Sequence, residues 1–142
     1  MPFLNADVIT AGLDPLGVRP LDAQAARLML AEMERLTAQG LSFAFETTLS
    51  VRGYLRKIDR WRSLDYRVML MFLALPSPEV AIERVRSRVG QGGHDVAEEV
   101  IRRRFTKVLA NFKNVYNARV DSWALFDNSG DAPVIVEMGG WA

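Results

Sequence analysis

At 142 residues, with 49% apolar and 25% charged side chains, the chain has the size and balance of one soluble globular domain. Its formal net charge of +1 provides no long-range field for nucleic acid or an anionic membrane, and the absence of cysteine excludes a disulfide framework or a thiolate metal site. The N-terminus shows no basic segment followed by an apolar one, and the longest apolar run, Val68 to Leu75, is too short to span a bilayer as a helix, so a cytoplasmic protein is expected.

In chain order, Phe3 to Ala6 reads as a short strand. Leu21 to Gln39 reads as a helix with Ala26, Met29, Met33 and Leu36 on its inner face and Gly40 as its stop. Ser42 to Thr48 (SFAFETT) is a strand candidate, and Val51 to Ser63 an amphipathic helix with Leu55, Ile58 and Trp61 inward. Arg67 to Leu75 (RVMLMFLAL) is an unbroken apolar run, as expected of a strand covered on both faces. Ser77, with Pro78 behind it, predicts a capped helix to about Val89.

Gly90, Gly92 and Gly93 break that helix, and Asp95 with Glu98 is a capping-box pattern for the next one. The next helix has its apolar stripe at Ile101, Phe105, Val108, Phe112 and Val115. Two last strands are expected at Trp123–Phe126 and Pro133–Glu137. Strands alternating with helices predict a mostly parallel α/β sheet flanked by helices, in which ligands sit at the carboxyl ends of the strands.

Three of those ends carry polar groups: Asn5-Ala6-Asp7, Glu46-Thr47-Thr48 and Asp127-Asn128-Ser129. Two carboxylates on one rim suit a general base and a hydroxyl or metal ligand. The plain alternative has Asp7 capping a turn and Glu46 paired with a surface arginine. A second constellation is RVRSRVGQGGHDVAEEVIRRR, residues 84–104, with six arginines at 84, 86, 88, 102, 103 and 104. Two basic helices joined by a glycine-rich turn suit a lid closing over phosphates. The alternative is a solvated basic face balanced by Glu83, Glu98 and Glu99. Among the 18 basic residues 15 are Arg, which fits either oxyanion recognition or codon usage in a GC-rich genome. His94 is the one histidine, so no histidine metal cluster is expected.

FLNADVITAGL, SFAFETTLS, LPSPEVAIERVRSRVGQGGHDVAEEVIRRRF and LFDNSG, in that order, resemble consecutive motifs of the zeta-toxin-like P-loop kinases, from Phe3 to about Val136. The resemblance implies a P-loop-kinase-like fold in one domain over 1–142, with a lid-like segment at about 77–104. It implies an ATP-dependent phosphotransferase using ATP and Mg²⁺, with a small-molecule alcohol, such as a nucleotide-sugar hydroxyl, as acceptor. An antitoxin or a second copy of the chain would be the partner, with no role for nucleic acid or membrane.

By the same resemblance Asp7 is the catalytic carboxylate, Glu46 the acidic residue at the acceptor, and Arg88 with Arg103 or Arg104 the phosphate clamp. Asn5, Thr47 and Thr48 would bind the acceptor, while Arg84, Asp127 and Asn128 lie where the family places the nucleotide. No protein metal ligand is assigned. The family's GxxxxGK[ST] loop, which cradles the ATP phosphates, occurs nowhere in the 142 residues. That departure predicts a chain lacking the N-terminal central strand and loop, inactive alone, with the strand at 67–75 left with an open edge. It also keeps open a different reading, a non-catalytic remnant or binding module, and a start assigned too far downstream.

Overall fold

The computed structural model describes residues 1–5, 22–47, 52–92 and 96–140. The chain divides into two compact units, Met1–Thr48 and Leu49–Ala142.

In the first unit β1 (Phe3–Leu4) and β2 (Ala44–Phe45) form a parallel pair, with Phe3 opposite Ala44 and Leu4 opposite Phe45. Between them in sequence lies α1 (Asp22–Ala38). Its buried stripe is Ala25, Met29, Met33 and Leu36, spaced at four, four and three residues. The expected stripe placed Ala26 in the first position, but Ala25 is the buried residue and Ala26 is exposed. Extending the four-residue spacing back from Met33 and Met29 gives position 25. Gly40 ends the helix in the left-handed region, at φ 66°, as a C-terminal glycine does.

The second unit opens with α2 (Tyr54–Ser63), which buries Ile58 and Trp61 and leaves Leu55 half-buried. A three-stranded sheet follows, ordered β3 (Met69–Ala74), β4 (Ser122–Asp127), β5 (Val134–Gly139). β3 and β4 run parallel, with Met69 opposite Ser122 and Ala74 opposite Asp127, and β5 is antiparallel to β4. The α/β class and the prevalence of parallel pairing thus hold, with an antiparallel strand at one edge. Asp121 fixes the start of the parallel pair: its carboxylate accepts from the Val68 amide (2.7 Å) and from Arg62 Nε of α2 (3.1 Å).

The apolar run at 67–75 is not covered on both faces. Side chains alternate along a strand. Met69, Met71 and Leu73 are each at least half exposed, while Leu70, Phe72 and Ala74 are part-buried on the other face. There the Phe72 ring stacks on Phe112 at 4.6 Å, and Phe112 meets Trp123 edge-on at 5.6 Å. Among the described residues β3 pairs with β4 on one edge and with no strand on the other.

The helices α3 (Pro78–Gly90) and α4 (Glu98–Asn111) pack against each other. Ser77 caps α3 by accepting the Val80 amide, with Pro78 in the first turn. The predicted capping box does not start α4. Ala97 is its N-cap and makes no side-chain cap, and the Glu98 carboxylate is taken instead by Arg86. Asp95 lies outside the described residues. α4 runs on into a π-helical turn, Phe112–Tyr116, closed by the Asn117 amide donating to the Phe112 carbonyl at 3.1 Å. The wide turn advances the helical phase. Phe112 and Tyr116 are therefore the buried pair, and Val115, expected on the inner stripe, is half-buried.

Candidate functional site

Three groups of candidate residues can be placed. The first lies where β1 and β2 end. Parallel pairing in register brings the residues after the two strands together, and the Glu46 amide donates to the Leu4 carbonyl at 3.0 Å. As a result Asn5 Nδ2 donates to Glu46 Oε2 at 2.7 Å. Glu46 has no second hydrogen-bond partner among the described residues, and a carboxylate oxygen can accept a hydrogen bond from a hydroxyl. Among the described residues no arginine pairs with Glu46. Thr47 follows it, exposed. Asp7 and Thr48 lie outside the described residues.

The second group lies at the carboxyl end of β4. The Asn128 amide donates to the Ala74 carbonyl at 2.8 Å, which carries the β3–β4 pairing one residue further. Arg84, on α3, reaches across and donates to the Asn128 carbonyl. The Asp127 carboxylate accepts the Ser129 amide at 2.9 Å. Hydrogen bonds from the Ser129 hydroxyl and amide, aided by the charge of Arg84, hold the Asp127 carboxyl below its ordinary value. Arg84, Asp127 and Asn128, separated by more than forty positions, form one corner.

The third group is the arginine segment, and its six members differ in their surroundings. Arg86 pairs with Glu98, and Arg102 with Glu79 at 2.8 Å, so these two bind α3 and α4 to each other. Arg84 is committed to the β4 corner. Arg88 and Arg104 line a cavity of about 580 Å³ between the end of β3, α3 and α4. Among the described residues neither has an ion-pair or hydrogen-bond partner, and every other side chain lining the cavity is apolar, Phe72, Leu75, Val85 and Phe105 among them. Arg103 is exposed and lies outside the cavity. The helical phase explains the difference: Ile101 and Phe105 face inward, position 104 falls beside them, and position 103 falls away.

Sequence reasoning missed the cavity wall. Phe105 and Val108 were read as core, yet both are only half-buried and line the cavity together with Ala81 and Val85 of α3. A wide apolar stripe on α4 facing a thin one on α3 was the available signal.

A mixed α/β fold of helices and small sheets with polar strand ends is of P-loop-kinase-like class. Residues 20–137 match the family model described as Zeta toxin, and the chain belongs to that family. A protein of Haemophilus influenzae described as "Uncharacterized protein" is 24% identical over 102 residues, covering 72% of this chain and 73% of that one. No solved structure matches the chain. Family membership points to a kinase-like, nucleotide-dependent function. Among the described residues no helix is long and apolar enough to cross a membrane.

The family implies ATP and Mg²⁺. The guanidinium groups of Arg88 and Arg104, without a partner among the described residues, fit phosphate oxygens, since Arg binds them in a planar fork. Among the described residues no group of three or more His, Asp or Glu is placed to hold an ion, and Asp7, His94 and Asp95 lie outside them.

Proposed function

We infer that this domain transfers a phosphoryl group from a nucleoside triphosphate to the hydroxyl of a small molecule. The observation that carries this reading is the division of labour among the arginines. Two pairs hold the helices together, while Arg88 and Arg104, on one cavity, have no partner among the described residues. A guanidinium left unpaired beside an apolar wall is an anion site awaiting its anion. ATP supplies the transferring phosphoryl group. Arg88 and Arg104 neutralise its charge and orient it, which is most of what phosphoryl transfer needs from a protein. Glu46, held by Asn5, accepts a hydrogen bond from the acceptor, and Asp7 takes the hydroxyl proton. The corner of Arg84, Asp127 and Asn128 receives the nucleoside. Thr47 and Thr48 complete the acceptor side, and an antitoxin or a second copy of the chain is the partner this family reading supplies.

A second reading has its own observation. No GxxxxGK[ST] run stands in these 142 residues, so a phosphate-binding module that does no chemistry also fits. One experiment separates the two. The 142-residue chain, and the same chain joined behind a family GxxxxGK[ST] strand and loop, are incubated with ATP-Mg²⁺ and a panel of alcohols that includes a UDP-amino sugar. The kinase reading predicts transfer by the joined form, abolished by Arg104→Gln. No transfer by either form, or transfer indifferent to both Arg88→Gln and Arg104→Gln, overturns it.

A further inference from the structure

We propose that the organic ligand of the α3–α4 cavity is a phosphate ester of an aromatic alcohol, its phosphate on Arg88 and Arg104 and its ring against the apolar wall. The proposal rests on the reading of those two arginines as a phosphate clamp, and it adds the chemistry of the group the phosphate is attached to.

The argument starts from what the wall can and cannot do. A cavity of about 580 Å³ has the size of small-ligand sites, which span roughly 300–1,000 Å³. Its polar side chains are the two arginines, which only donate. A sugar or other polyhydroxylated ligand seated there would lose its water hydrogen bonds and meet methyl and phenyl groups in return, which is unfavourable. An apolar body loses nothing polar and gains burial.

Shape narrows the class further. Phe72 and Phe105 both line the cavity. The Phe72 ring is fixed from behind by its stack on buried Phe112, with an interplanar angle of 12°, so it presents a supported flat surface. Aromatic rings pair with such surfaces in offset or edge-on geometry. The charge pattern fixes where the phosphate goes. Both arginines are exposed residues on the cavity lining, so the wall is apolar and its rim cationic. A purine nucleotide is the closest rival, since it too joins a flat ring to phosphate. Its base edge needs donors and acceptors, which the apolar side chains lack. The Asp127–Asn128 corner has them: Arg84 lies one helical turn before Arg88 on α3, about 6 Å along the axis.

The test is a calorimetric titration of the full chain with 1-naphthyl phosphate, inorganic phosphate and AMP, without ATP. The proposal predicts that 1-naphthyl phosphate binds at least about tenfold more tightly than either comparator, through the added burial of its rings. Arg104→Gln should remove most of that affinity, whereas Lys107→Gln, on the same helix and off the cavity, should leave it unchanged. Equal binding of 1-naphthyl phosphate and inorganic phosphate, tighter binding of AMP, or indifference to Arg104→Gln each overturns it. Its fate is separable from that of the kinase reading. Tight 1-naphthyl phosphate binding without any phosphoryl transfer keeps the ligand class and rejects the chemistry. Transfer to a UDP-amino sugar with no preference for 1-naphthyl phosphate does the reverse.

Discussion

Truncating Phe112 to alanine should remove the support on which both the sheet and the cavity wall rest. The side chain is 1% exposed, stacks on Phe72 at 4.6 Å and meets Trp123 edge-on at 5.6 Å. A buried Phe→Ala change costs about 3–5 kcal/mol in lost burial and residual cavity. Two ring contacts of about 0.5–1.5 kcal/mol each place this site toward the upper half of that range. Since domains are stable by only about 5–15 kcal/mol, the loss is a large fraction of the total. At about 3–4 °C per kcal/mol for a chain of this size, the melting temperature should fall by about 12–20 °C. Phe112→Leu, which keeps part of the volume but loses both ring contacts, should cost less, about 1–3 kcal/mol. Urea denaturation followed by far-ultraviolet circular dichroism measures both. A loss below about 1.5 kcal/mol for the alanine variant would mean that the π-helical turn does not seat this ring in a packed core.

In the form joined to a GxxxxGK[ST] loop, Asp7→Asn should lower turnover by about 10²–10⁴-fold with ATP affinity nearly unchanged; a fall of less than about tenfold, read by a coupled ADP assay, removes Asp7 from the role of base. The Asp127 carboxyl should titrate below its ordinary 3.8, so the stability it contributes is present above that pH and is lost as pH falls through the lower, folded value. Ser129→Ala should move the titration back up, as followed by carbon-detected NMR, and no movement would assign the shift to some other cause. Gly140 sits at φ 73° with the Asp121 carbonyl oxygen 2.3 Å from where a Cβ would be, so Gly140→Ala should destabilise by more than the roughly 1–3 kcal/mol of a strained backbone alone, and a neutral result in urea would refute the close approach.

Much of the fold was legible because its elements announce themselves locally. The Ser77–Pro78 cap, Gly40 and the periodic methionines of α1 follow from backbone and side-chain chemistry within a few residues. The corner joining Arg84 to Asn128 and the contact between Asn5 and Glu46 follow from one further rule, that parallel strands bring their carboxyl ends together. What was not legible depends on long-range competition. Glu98 could cap its own helix or pair with Arg86, and both choices satisfy it; only the packing of α3 against α4 selects the ion pair. The π-helical turn left no local signature, so the inner stripe was carried straight through to Val115 where Tyr116 belongs. The run at 67–75 is apolar at every position, which says nothing about which face is covered.

The same ambiguity applied to the arginines. Six basic residues in a row of helices look alike in sequence, and the separation of Arg88 and Arg104 from their neighbours is a matter of what stands opposite each one. That separation is the central claim, and guanidinium NMR tests it most directly. With Nε–Hε signals assigned, pyrophosphate is titrated into the protein at low ionic strength. The Arg88 and Arg104 resonances should shift together with one saturation curve, while those of Arg86 and Arg102, already paired with Glu98 and Glu79, should hold still. Uniform small shifts across all four arginines, or shifts at Arg86 and Arg102 with none at Arg88 and Arg104, would show a solvated basic face and not an anion clamp.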